Sequence, residues 1–154
     1  MKEDIMTSKR TYLIVVGVLA AIIFTLSAVA KNHGRSDRPA ANDFGPGPRL
    51  SEKGLYVATL QGAKELQPRK MYTLQATLID GKDGQPVTNA GITVDGGMPE
   101  HGHGLPTRPR VTKELGNGWY EISGLRFNMG GWWEVKLTIT GPAGTDTVTF
   151  NLEV

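Results

Sequence analysis

From Leu55 onward, apolar residues recur at every second position over long stretches. Tyr72, Leu74, Ala76 and Leu78 alternate with Thr73, Gln75, Thr77 and Ile79. Trp133, Val135, Leu137 and Ile139 alternate with Glu134, Lys136, Thr138 and Thr140, and Val148, Phe150, Leu152 and Val154 with Thr147, Thr149, Asn151 and Glu153. Successive side chains of an extended backbone point to opposite faces, so each run predicts a long strand with one face in a core. Shorter strands fit Tyr56 to Leu60, Ala90 to Val94, Arg110 to Leu115 and Trp119 to Ser123. Between them stand Gly81-Lys-Asp-Gly84, Gly116-Asn-Gly118 and Gly141-Pro-Ala-Gly144, residues that supply turn conformations. No segment after Ala30 carries a helical stripe. Seven short strands at this spacing predict an all-β fold, a seven-stranded immunoglobulin-like sandwich. Its expected core is Tyr72, Leu74, Leu78, Ile92, Val94, Tyr120, Ile122, Trp133, Val135, Leu137, Phe150 and Leu152.

The amino-terminal pattern is different. From Leu13 to Ala30 the chain is almost wholly apolar, a run that would span about 27 Å as a helix, close to hydrocarbon thickness. No polar stripe breaks it, which argues against a buried core helix. Lys9 and Arg10 precede it, as suits a cytoplasmic amino terminus, although Lys31, Arg35 and Arg38 follow it. Ala28-Val29-Ala30 also resembles a signal-peptidase site. The expected organisation is a short cytoplasmic stretch over 1–10, one transmembrane helix or signal peptide over 11–30, a flexible Gly/Pro-rich tether over 31–54, and the sandwich over 55–154. Either reading of 11–30 exports the sandwich. It is then held at the inner (cell) membrane by a single pass, on the periplasmic or extracellular side, or secreted if the segment is cleaved.

Composition narrows the chemistry. The chain has no cysteine, which excludes a disulfide scaffold, a thiolate metal site and a cysteine nucleophile. Its net charge of +2 is spread along the sequence, so no nucleic-acid partner is expected. Two segments break the strand pattern: Gly96 to Pro109, and Gly124 to Gly131. If the strands alternate in direction, both lie at one end of the sandwich. Met98, His101 and His103 could then face Met129 across one rim. Imidazole and thioether together suit copper, and thioether favours Cu(I). The bland reading is that the methionines plug the end of the core, the histidines are solvated and Glu100 is a surface charge. No Ser/His/Asp grouping is discernible, so an enzyme is not expected.

At these residues the sequence resembles a known family. Ala90-Gly-Ile-Thr-Val94, Met98-Pro-Glu-His-Gly-His-Gly-Leu-Pro-Thr-Arg-Pro109, Gly118-Trp-Tyr120 and Leu125-Arg-Phe-Asn-Met-Gly-Gly-Trp132 are similar to the YtkA-like domain family, over about Lys70 to Thr140. That family is close to the FixH-like proteins, which are linked to assembly of copper-containing oxidases. The resemblance implies an exported or membrane-anchored all-β domain that handles copper, with Met98, His101, His103 and Met129 as ligands. The expected function is therefore to bind or deliver copper at the membrane, to a membrane-protein or cuproprotein partner. The alternative is a metal-free interaction or assembly module for a membrane protein, in which the Gly/Pro loop together with Trp119, Arg126 and Trp132 forms the surface.

Overall fold

The computed structural model describes residues 38–62 and 65–154. The stretches expected as cytoplasmic (1–10) and as membrane anchor or signal peptide (11–30) lie outside the described residues. No helix among the described residues is long and apolar enough to cross a membrane.

Nine strands are formed among the described residues: β1 (Arg49–Leu50), β2 (Tyr56–Gln61), β3 (Met71–Asp80), β4 (Gly91–Met98), β5 (His103–Gly104), β6 (Arg110–Gly116), β7 (Trp119–Arg126), β8 (Trp132–Gly141) and β9 (Gly144–Glu153). They make two antiparallel sheets, in the orders β1-β2-β3-β7-β6 and β5-β4-β8-β9. The expected count of seven is corrected to nine. The two additions, β1 and β5, are two residues long, too short to register as an alternation. Without them the order is β2-β3-β7-β6 against β4-β8-β9, the A-B-E-D and C-F-G arrangement of an immunoglobulin constant-type sandwich.

Alternation decides the core. On β8, Trp133, Val135, Leu137 and Ile139 are buried, and on β9 Val148, Phe150 and Leu152. Their register is unbroken from Trp132↔Glu153 to Gly141↔Gly144, so the apolar rows of the hairpin stay on one face. All the expected core residues are buried except Ile92, which is half-buried. It packs against the core from a strand near the margin of its sheet, where less of the opposite sheet covers it.

The tether expected over 31–54 is corrected from Pro39 onward. Residues 41–43 make one 3₁₀ turn, Phe44 bridges Asn151 on β9, and the Gly45 N–H donates to the Asn151 carbonyl at 2.8 Å. The chain then crosses to the other sheet, where the Leu60 N–H donates to the Pro46 carbonyl (2.8 Å) and β1 pairs with β2. This segment closes the seam between the sheets through its backbone, which is why no side-chain period marks it. It also covers Trp132, which is 3 % exposed although it faces away from Trp133. The Trp132 Nε1 donates to Asn151 Oδ1 at 3.0 Å, and its ring meets Phe44 edge-on at 6.4 Å.

Asp146 fixes the end of that crossing. Its buried carboxylate accepts N–H groups from Lys53 (3.0 Å) and Leu55 (3.3 Å) and the Ser51 hydroxyl. Burial alone would push the carboxyl up, but the bonds from Ser51, Thr147, Leu55 and Lys53 outweigh it. The net effect holds it below its ordinary value.

Candidate functional site

Adjacent antiparallel strands β4 and β8 end and begin side by side, so the β4–β6 connection and the β7–β8 connection leave the sandwich at the same end. Residues 99–101 make a single 3₁₀ turn with proline in its first positions, whose fixed φ suits the start of a helical turn. Gly102 closes the turn at φ +65°, a left-handed conformation that glycine adopts without strain, and its N–H donates to the Met98 carbonyl at 3.0 Å. The chain thereby folds back on β4, pairing Met98 with His103.

That pairing has a consequence for side chains. Cross-strand partners share a face, so Met98 and His103 point to the same side of the sheet. Met98 is 3 % exposed, and its methyl group lies so close to Gly131 that a Cβ there would come within 2.6 Å of it. His103 is half-buried, its ring centroid 5.3 Å from that of Trp133. Its Nδ1 lies 3.3 Å from the Gly104 carbonyl. A carbonyl can only accept, so in the neutral ring this contact places the proton on Nδ1 and leaves Nε2 as the electron-pair donor. The His101 ring is 6.0 Å from that of His103, on an exposed residue. Met129, 38 % exposed, is tied to the same floor, because the Trp133 Nε1 donates to its carbonyl at 3.1 Å. Below Trp133 the ring of Phe127 follows at 5.3 Å, then Tyr72 at 6.4 Å from Phe127.

The four sequence-predicted residues thus occupy one end in two tiers. Met98 and His103 are inner, His101 and Met129 outer. Met98 itself is corrected: it is the last residue of β4, not a member of an irregular loop, and Gly96 and Gly97 are strand residues too. Glycine here permits close approach rather than bending, since a Cβ on Gly97 would meet the His103 carbonyl at 2.7 Å. Gly124, Leu125 and Arg126 likewise extend β7 instead of opening the second loop. The interaction surface of Trp119, Arg126 and Trp132 is not one surface. Trp119 and Arg126 lie on β7 in one sheet, and Trp132 lies on β8 in the other, beneath Phe44.

Sequence reasoning missed the floor. Alternation places Trp133 in the core, but its contact with His103 depends on β5 folding back on β4. Phe127, 0 % exposed, lies past the end of the alternating segment, so no period marks it. Among the described residues no three His, Asp or Glu side chains are gathered to hold a metal. Two imidazoles and two thioethers form a soft, uncharged donor set, which fits Cu(I) and fits hard oxygen-seeking cations poorly. Beside the inner pair runs a shallow groove of about 320 Å³, lined by Asp95, Gly97, Met98, His103, Glu134 and Lys136. On its wall Lys136 Nζ is paired with Glu134 Oε2 at 2.9 Å.

The sequence model of the family described as YtkA-like matches residues 51–138, from the Asp146-bound turn through most of β8. Among solved structures the chain is similar to one described as the ZirS C-terminal domain, at 15 % identity with a TM-score of 0.39, covering 80 % of this chain and 92 % of that one. No curated protein matches the chain.

Proposed function

The chain belongs to the YtkA-like family, and from that premise we propose that it is an extracytoplasmic β-sandwich module that binds Cu(I) at its Met/His end and passes it to a partner. The observation that carries the reading is the Met98–His103 pair. Two soft or borderline donors from adjacent strands share a face, with the imidazole Nδ1 occupied by a carbonyl. His101 and Met129 stand at the outer rim of the same end and would complete the set. A ligand set graded from buried to exposed suits delivery, because an acceptor can replace the outer donors while the inner pair holds the ion. The apolar run over 11–30 supports placement outside the cytoplasm, at the membrane or secreted. We read the module as binding rather than catalytic.

The test follows the methionines one by one. With 13C-labelled methionine methyl groups, anaerobic Cu(I) should shift the resonances of Met98 and Met129 in the full chain. That of Met71, 57 % exposed on β3 in the other sheet, should stay unmoved. Equal movement of all three, or of none, would mean that Met98 only fills the space beneath Gly131 and that the end is a packing solution.

A further inference from the structure

Each sheet has two edges, and their treatment differs. β1 covers part of β2, and β6 carries Lys113 and Glu114 with register shifts at Val111/Lys113 and Glu114/Gly116, irregularities that discourage pairing. The edge of β9 is taken by the amino-terminal segment, where Gly45 N–H bonds the Asn151 carbonyl (2.8 Å) and Glu52 N–H the Thr147 carbonyl (2.9 Å). Hydrogen bonds cover the edge of β4 only at its two ends, while β6 of the other sheet runs close to β4 without bonding it. At one end the Ala90 N–H donates to Tyr120 Oη at 3.1 Å. At the other, the Gly96 carbonyl accepts the Leu105 N–H (3.1 Å), and the Gly96 N–H donates to Asp95 Oδ1 (2.8 Å).

These bonds fix which groups face outward. Backbone groups alternate sides along an antiparallel strand, so if Gly96 faces away from β8, Val94 and Ile92 do too. Their two N–H groups and two carbonyls have no partner on that side among the described residues. From Gly91 to Asp95 there is no proline, no lysine and no register shift against β8. In immunoglobulin variable-type sandwiches this edge receives an additional strand, so the architecture leaves room for one.

We propose that this edge pairs antiparallel with the same edge of a second copy of the chain. Centred on Thr93, the pairing is self-complementary, as a twofold interface requires. Ile92 falls opposite Val94 of the second copy, and both are outward-bonding positions, so the four uncovered groups of each chain are satisfied together. Thr93 meets Thr93, extending the threonine pairs already on this sheet, Thr138 with Thr147 (3.4 Å) and Thr140 with Thr145 (3.1 Å). Asp95 falls opposite Gly91, so no like charges are opposed. A second copy is the favoured occupant because its own uncovered edge offers the complementary backbone in that register. Five residues make a small interface, below the roughly 1,200 Å² of stable complexes, so the dimer is weak in dilute solution and is best trapped covalently.

The chain has no cysteine, so Thr93→Cys in the full chain introduces a single thiol at the centre of the pairing. Opposed Cα atoms at such a non-hydrogen-bonded position lie about 4.5 Å apart, within disulfide range. Oxidation with diamide, which requires no metal, should give a disulfide-linked dimer several-fold more readily than Thr112→Cys on β6 or Thr138→Cys on β8. An equimolar mixture of Gly91→Cys and Asp95→Cys chains should likewise cross-link more than either alone. Dimer yield from Thr93→Cys no higher than from the controls would overturn the pairing, and no gain in the mixture would overturn its register. Neither result depends on copper.

Discussion

Gly131 shows how a single missing carbon can position a neighbouring side chain. Its φ of +119° strains any other residue, and the methyl of Met98 occupies the space a Cβ would need. Gly131→Ala should therefore destabilise the fold by about 1–3 kcal/mol, read from the urea midpoint, and displace Met98 from beneath the loop. Asp146 makes a prediction in pH. Its folded value lies below its unfolded one, so the native state binds fewer protons than the unfolded chain near the bottom of the carboxyl range. The stability it contributes is present at neutral pH and is lost as pH falls below about 4 toward the folded value. Urea midpoints measured at pH 7 and pH 3 should fall more for the wild type than for Asp146→Asn. Equal falls would assign the acid response to other groups.

The hairpin of β8 and β9 carries the most regular information in the chain. Phe150, fully buried in it, should cost about 3–5 kcal/mol as Phe150→Ala, and a loss below about 1 kcal/mol would contradict its burial. Trp132 holds down a different element. Trp132→Ala should speed amide exchange at Gly45, whose N–H bonds Asn151, more than at the core amides of β8. The contrast explains what was legible in the sequence. Where one face is wet and the other buried, alternation names the strand and its inward residues, as for Trp133 to Ile139. Where an element bonds through its backbone to a sheet edge, as residues 44–50 do, no side-chain period is written and the segment reads as tether. Met98 falls between these cases. The glycines before it look like loop residues, but they are needed because β5 and β8 approach so closely. The four candidate residues could be named from composition and direction of strands, whereas their inner and outer tiers depended on the fold-back at Gly102.

At the scale of the molecule, an immunoglobulin-type strand order turns two distant glycine-rich segments into one end, and places a soft donor pair there over an aromatic floor. Elsewhere the amino-terminal segment closes the seam along β9, and the middle of β4 is the edge proposed to pair with a second copy. Copper binding at the Met/His end is the central claim, and anaerobic Cu(I) competition on the full chain tests it most directly. Removing an inner ligand as Met98→Leu or His103→Ala should weaken Cu(I) binding roughly tenfold or more, about 1.4 kcal/mol or above, while Met71→Leu leaves it unchanged. Wild type binding Cu(I) no more tightly than Met98→Leu and His103→Ala would contradict the account.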